Sequence, residues 1–247
     1  IIVAHNLSPA DTAHLDLDKV LGFITDIGGR TSHTAIMAQA LGIPAVVGLE
    51  TITKQVQNGD IIVVDGLAGE VAINPSKEVF NKYLEKKQEY HFLEKEFLKL
   101  KPLLAETKDG YRIRLLANLE ITEELPSIIH HGAEGIGLYR TEFLYLNRIS
   151  LPSENDHFNI YRKVIEEISP NPTTIRTFDL GGDKFLSQVP MAEEMNPALG
   201  LRAIRFCLRE VDVFKTQIRA ILRASALGKV RILFPMISGM QEIYQIK

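Results

Sequence analysis

The chain has 247 residues, 45% of them hydrophobic and 24% charged, with a formal net charge of −3, which is enough for one large domain or two ordinary ones with buried cores. So balanced a charge gives no bulk electrostatic case for a nucleic-acid or membrane-surface partner, and the longest apolar runs are far too short for membrane insertion. The lone Cys207 excludes an internal disulfide framework and suits a reducing compartment, so the expected location is cytoplasmic.

The chain opens Ile1-Ile2-Val3 without an initiator methionine, as though inside a β-strand, and is expected to be part of a longer protein. Across residues 1–75, short β-branched runs (Gly22 to Thr25, Ala45 to Val47, Ile61 to Val64, Glu70 to Ile73) alternate with turn signals such as Gly59-Asp60 and Gly66 to Gly69. This pattern predicts a small mixed α/β domain. Residues 76–105 change character: Val79, Phe80, Tyr83, Leu84, Leu93, Phe97 and Leu100 recur at three- and four-residue intervals among Lys and Glu. That spacing predicts a long amphipathic linker helix, with Pro102 favouring a break near its end.

From residue 106 to 247, strand-like runs (Ile113 to Leu119, Gly135 to Leu138, Thr174 to Phe178, Val230 to Phe234) alternate with helical stretches (about Thr122 to His130, Glu154 to Ile168, and two within Leu199 to Leu227). A βαβα order argues for parallel strands with helical crossovers. A complete (β/α)8 barrel of the TIM type takes roughly 250 residues. The expected fold class is therefore α/β: a small mixed domain, a linker helix, and about half of a barrel that should not fold securely alone.

Two regions carry chemistry. In Asp26-Ile27-Gly28-Gly29-Arg30-Thr31-Ser32-His33, the glycines turn the backbone sharply, Thr31 or Ser32 can cap a helix, and Gly42 with Pro44 ends it. His33 would then sit at a helix N-terminus, where free amides and the dipole favour an anion, with Arg30 close in sequence. An imidazole is nucleophilic near neutral pH and can pass a phosphoryl group on. A capping turn with an incidental histidine accounts for the local pattern equally well. His5, His14 and His33 lack the ligand spacing of a zinc site. In the second region, Arg140, Arg176 and Arg202 follow strand-like runs or open helices, and barrel active sites lie at the carboxyl strand ends. Planar guanidinium forks suit a substrate with both carboxylate and phosphate, although a lone arginine is more often a solvated surface group.

The run GGRTSHTAIMAQALGIPAVVG closely resembles the phosphohistidine loop of the Enzyme I family, the phosphoenolpyruvate-protein phosphotransferases of the bacterial sugar phosphotransferase system. It also resembles the loops of phosphoenolpyruvate synthases and pyruvate phosphate dikinases. GLYRTEFLY, RTFDLGGDK and NPALGLRAIR resemble Enzyme I motifs that line its phosphoenolpyruvate site. The resemblance implies that His33 is phosphorylated, that Thr12 hydrogen-bonds it, and that Arg140, Arg176 and Arg202 bind phosphoenolpyruvate. It leaves Asp179, Asp183 and Lys184 open to a plain turn-forming role. Gln39 departs from the family, where an arginine is usual.

The same resemblance implies that His33 takes the phosphoryl group of phosphoenolpyruvate and hands it to a histidine of the carrier protein HPr, and that the parent is a homodimer. It implies Mg2+ as cofactor, with its Glu and Asp ligands and a proton-donating cysteine expected beyond Lys247 and the HPr-docking subdomain before Ile1. Cys207, in the helical run AIRFCLRE, is expected to be a packed apolar residue instead. Two alternatives stay open: a synthase or dikinase, which would carry an ATP-binding domain, and a phosphohistidine carrier module with no catalysis of its own.

Overall fold

The computed structural model describes residues 1–7, 19–29, 32–145, 150–179 and 200–247, with the backbone alone for His33, Ala40 and Leu41. Two compact units divide it, Ile1–Leu103 and Leu104–Lys247. Among the described residues no helix is long and apolar enough to cross a membrane.

In the first unit, β1 (Ile2–Ala4), β2 (Phe23–Thr25) and β3 (Ala45–Val46) form a parallel sheet in that order. The middle strand is apolar at successive positions because both its faces are covered. Phe23 packs with Leu7, Val20 and Ala38, while Ile24 packs with Val46 and Ile52. Helix α1 (His33–Leu41) precedes β3, and a single turn, α2 (Ile52–Gln55), follows it. Next comes an antiparallel hairpin of β4 (Ile62–Asp65) and β5 (Glu70–Ile73). Helix α3 (Lys77–Leu98) starts at Ser76, whose hydroxyl accepts from the Val79 amide, and buries none of its residues. Its first half is tied to the hairpin: Tyr83 Oη donates to Glu70 Oε2 at 2.7 Å and Lys86 Nζ to Asp65 Oδ2 at 3.2 Å.

In the second unit, β6 (Ala117–Leu119), β7 (Ile136–Tyr139), β8 (Thr173–Arg176) and β9 (Val230–Leu233) pair in parallel in sequence order. Helices α4 (Leu125–His130), α5 (Glu154–Ile168), and then α6 (Ala203–Arg209) with α7 (Val211–Ala224) connect successive strands, and α8 (Met240–Ile246) follows β9. The order runs without a reversal, as in a barrel sector; a doubly wound sheet would change direction part-way. This agrees with the α/β class and half-barrel pattern. Strand β6 is shorter than the apolar run from Ile113 suggests. Ile113 N donates to Ala105 O at 2.7 Å, so the first part of that run closes a local hairpin about Thr107 to Tyr111.

The core of this unit joins Ile136, Tyr139 and Ile175 on the strands to Tyr161, Val164, Ile165 and Ile168 on α5 and Ala220, Ile221 and Ala224 on α7. Full burial of a large aliphatic side chain contributes roughly 1.5–3 kcal/mol. The start of α5 is set by a reciprocal cap: Ser153 Oγ accepts from Asp156 N, and Asp156 Oδ2 accepts from Ser153 N at 2.8 Å.

Gly135, just before β7, has a φ of +134°, and a Cβ there would lie 2.4 Å from the Pro172 carbonyl oxygen, to which Ile136 N donates. Gly135→Ala is therefore expected to destabilise the second unit by about 3 kcal/mol, through backbone strain plus the displacement of β8. Chemical denaturation of the full-length variant measures this, and an unchanged midpoint would refute it.

Candidate functional site

The strands of the first sheet all end at one edge, the usual place for functional groups in parallel α/β sheets. There the residues after β2 are held between their neighbours. Asp26 N donates to Ala4 O and Ile27 N to His5 O, both at 3.1 Å, while Glu50 N donates to Asp26 O at 2.7 Å. The chain then turns at Gly28, whose φ of +130° strains any L side chain and where a Cβ would come within a tight 3.3 Å of Val47 Cβ. Of the two candidate caps it is Ser32 whose Oγ accepts from Ala35 N, at 3.3 Å, so His33 is the first residue of α1. Thr34 is buried and its Oγ1 donates to Leu7 O at 3.3 Å, pinning the helix start to the segment after β1. Gly42 closes the helix with its N–H directed at Ala38 O and Gln39 O. The His33 side chain, Thr12 and Arg30 lie outside the described residues.

In the second unit the three arginines also gather at carboxyl strand ends. Arg140 directly follows β7 and pairs with Glu120, which directly follows β6. Arg176 is the last residue of β8. Its Nη2 donates to Glu142 Oε1 at 2.9 Å, and its Nη1 lies 3.2 Å from Asp179 Oδ2. Arg202, at the head of α6, donates from Nη2 to Asp179 Oδ1 at 2.9 Å. Asp179 thus bridges Arg176 and Arg202; Asp183 and Lys184 lie outside the described residues. Burial pushes the Glu142 carboxyl up, opposed by Arg176. The Nε–H groups of Arg140 and Arg176 are buried and have no hydrogen-bond partner among the described residues. A buried donor without an acceptor is unfavourable, and both sit where an anion could supply one.

Cys207 packs with Phe178, Ile204 and Phe206, and burial pushes its thiol up to about 12, so it remains protonated and unreactive at neutral pH. Among the described residues no group of three or more His, Cys, Asp or Glu side chains converges as a metal site. A cleft of about 430 Å³ lined by Arg112, Glu134, Pro172 and Arg231 lies at the amino ends of the strands, opposite the arginine cluster.

Residues 94–247 match the family described as PEP-utilising enzyme, PEP-binding domain, and residues 1–69 match PEP-utilising enzyme, mobile domain. The chain belongs to the PEP-utilising enzyme family. It is 50% identical over all 247 residues to the phosphoenolpyruvate-protein phosphotransferases of Bacillus sp. (strain S) and Geobacillus stearothermophilus, and 49% identical to that of Staphylococcus carnosus (strain TM300). It spans 43% of the length of each of these relatives. A solution NMR structure of Enzyme I is 53% identical across 37% of each chain, with a TM-score of 0.35, too low to bear on the fold.

Sequence reading missed the partners that hold these groups. Asp26, only 4% exposed, accepts from Thr53 N at 3.0 Å and from Thr53 Oγ1 at 2.6 Å, and His5 Nδ1 lies 3.0 Å from its Oδ2. These contacts, those from Thr53 foremost, pull the Asp26 carboxyl down to about 2, against the opposing effect of burial. An acidic residue ending an apolar strand run is the only signal that could have marked it.

Because the folded state binds this proton less readily than the unfolded chain, the contribution of Asp26 is complete above its ordinary value of 3.8 and is lost as pH falls toward about 2. Asp26→Asn in the full-length protein should lower the melting temperature at neutral pH yet flatten its fall between about pH 5 and pH 2. Parallel acid profiles for the two proteins would count against the clamp.

Proposed function

We propose that the full-length protein is a phosphoenolpyruvate-protein phosphotransferase that moves the phosphoryl group of phosphoenolpyruvate to His33 and then to a histidine of the carrier HPr, the first step of sugar uptake by the phosphotransferase system. The observation that carries this reading is the pair of buried Nε–H groups on Arg140 and Arg176 that have no acceptor among the described residues, set on neighbouring strand ends beside Arg202. Half-identical relatives bearing that enzyme name support it.

In this reading Arg140, Arg176 and Arg202 hold the substrate's carboxylate and phosphate through paired N–H donors, and their charge disperses over the moving phosphoryl group. The bond from phosphorus to the enol oxygen breaks as a bond to the His33 imidazole nitrogen forms, and the enolate takes up a proton to become pyruvate. The amides at the start of α1 then face the new phosphoryl oxygens, with Thr12 hydrogen-bonding the imidazole. Catalysis is chiefly placement and electrostatic stabilisation.

Mg2+ would neutralise phosphate charge in the intact enzyme. The described residues do not fit it: Glu120, Glu142 and Asp179 are each engaged by a guanidinium and form no ligand cluster. Residues 1–75 are the swivelling phosphohistidine domain in this proposal, 76–105 the arm, and 106–247 the first part of the substrate barrel. The parent is a cytoplasmic homodimer.

The test is to incubate the full-length protein with labelled phosphoenolpyruvate and Mg2+. Acid-labile label is expected on His33, passing to HPr on its addition, and His33→Ala should reduce labelling by more than about 1,000-fold, the scale of losing a nucleophile. Full transfer by His33→Ala would overturn the proposal.

A further inference from the structure

Helix α7 turns a stripe of Phe214, Gln217, Ala220, Ile221 and Ala224 inward. Gln217 is the polar member, and it is 1% exposed. A buried amide is unfavourable unless its polar atoms are matched, and here they are. Phe178 N can only donate, so the amide oxygen must face it, at 2.9 Å. That orientation leaves Nε2 to donate to Thr141 Oγ1 and to Tyr161 Oη, both at 3.1 Å. Thr141 Oγ1 passes the link on by donating to the Arg176 carbonyl at 2.9 Å.

The far side of the amide is anchored as well. Tyr161 Oη lies 3.1 Å from His157 Nδ1, and His157 Nε2 lies 3.2 Å from Tyr145 Oη, all in buried side chains. The placement of these bonds is informative. Thr141 follows Arg140 directly, and Phe178 stands two residues after Arg176. One side chain, borne on a helix and bonded to neither guanidinium, therefore ties the hydroxyl of the residue after Arg140 to the main chain two residues after Arg176.

We propose that Gln217, acting through Thr141, is a positioning residue that sets the spacing of Arg140 and Arg176 and thereby the affinity for phosphoenolpyruvate. This rests on reading those arginines as the substrate site. A buried glutamine that merely stabilises the core would lower the melting temperature and leave substrate affinity alone.

The experiment uses the full-length protein with Gln217→Leu, Thr141→Val, the double variant, and the conservative Thr141→Ser. KM for phosphoenolpyruvate and kcat for His33 labelling are measured after folding is verified by circular dichroism. Gln217→Leu and Thr141→Val should raise KM roughly ten- to hundred-fold, the scale of an ångström-level misplacement of binding groups, with a much smaller change in kcat. Thr141→Ser should restore KM, and the double variant should be little worse than the poorer single one, because both break one link. Should Gln217→Leu fail to fold, the Thr141 pair decides the matter.

A folded Thr141→Val protein with wild-type KM and a lowered melting temperature would sink the positioning role while leaving the phosphotransferase reading intact. If wild-type protein takes no label from phosphoenolpyruvate, the substrate reading fails. The link is then judged by the Nε–H NMR resonances of Arg140 and Arg176, which Thr141→Val should shift and Thr141→Ser restore; unmoved resonances would refute it.

Discussion

Parallel pairing of β7 with β8, in a register that sets Tyr139 beside Ile175, brings Arg140 and Arg176 to the same end of adjacent strands. Main-chain hydrogen bonds across a parallel pair keep neighbouring carboxyl ends level, so groups distant in sequence share an edge without any loop being specialised for it. Arg140 N donates to Leu119 O and Thr177 N to Leu233 O, extending the pairing just past the strands to where the functional side chains begin. The same constraint acts in the first sheet, where the residues after Ala4, Thr25 and Val46 crowd together beside the head of α1.

What those edges hold is charge, and its handling differs between the units. In the second, three guanidinium groups are matched to Glu120, Glu142 and Asp179, with Asp179 shared by two of them. Ion pairs fix a planar fork in orientation, and a fork fixed beforehand loses less entropy when an anion arrives. The carboxylates also compete for N–H donors, but the buried Nε–H groups of Arg140 and Arg176 remain outside that competition. Burial keeps Glu142 from being an indifferent partner, since its ionised form depends on Arg176. In the first unit the carboxylate of Asp26 is held ionised by Thr53 and His5 beside the glycine turn. The turn therefore springs from a rigid base, and α1 begins at a defined point.

Much of this was legible in the residues themselves. The βαβα order, the bounds of α5, the turn at Gly28, and the start of α1 just after Ser32 all follow from periodicity, capping and glycine placement. The motif arginines were legible as well, and the structure brings Arg176 and Arg202 onto one carboxylate. Gln217 was not legible, although a polar residue inside the stripe from Phe214 to Ala224 was a visible irregularity.

The linear sequence by itself determined the elements and the types of group at their ends, because capping, turn formation and amphipathic spacing act over a few residues. Tertiary structure alone decided the partners. Glu120 lies 20 residues from Arg140, Glu142 34 from Arg176, and Gln217 76 from Thr141. Which side chains meet across such separations depends on strand register and on the angle at which a helix lies against a sheet. These are set by how the whole core packs, and no local window of sequence contains that information.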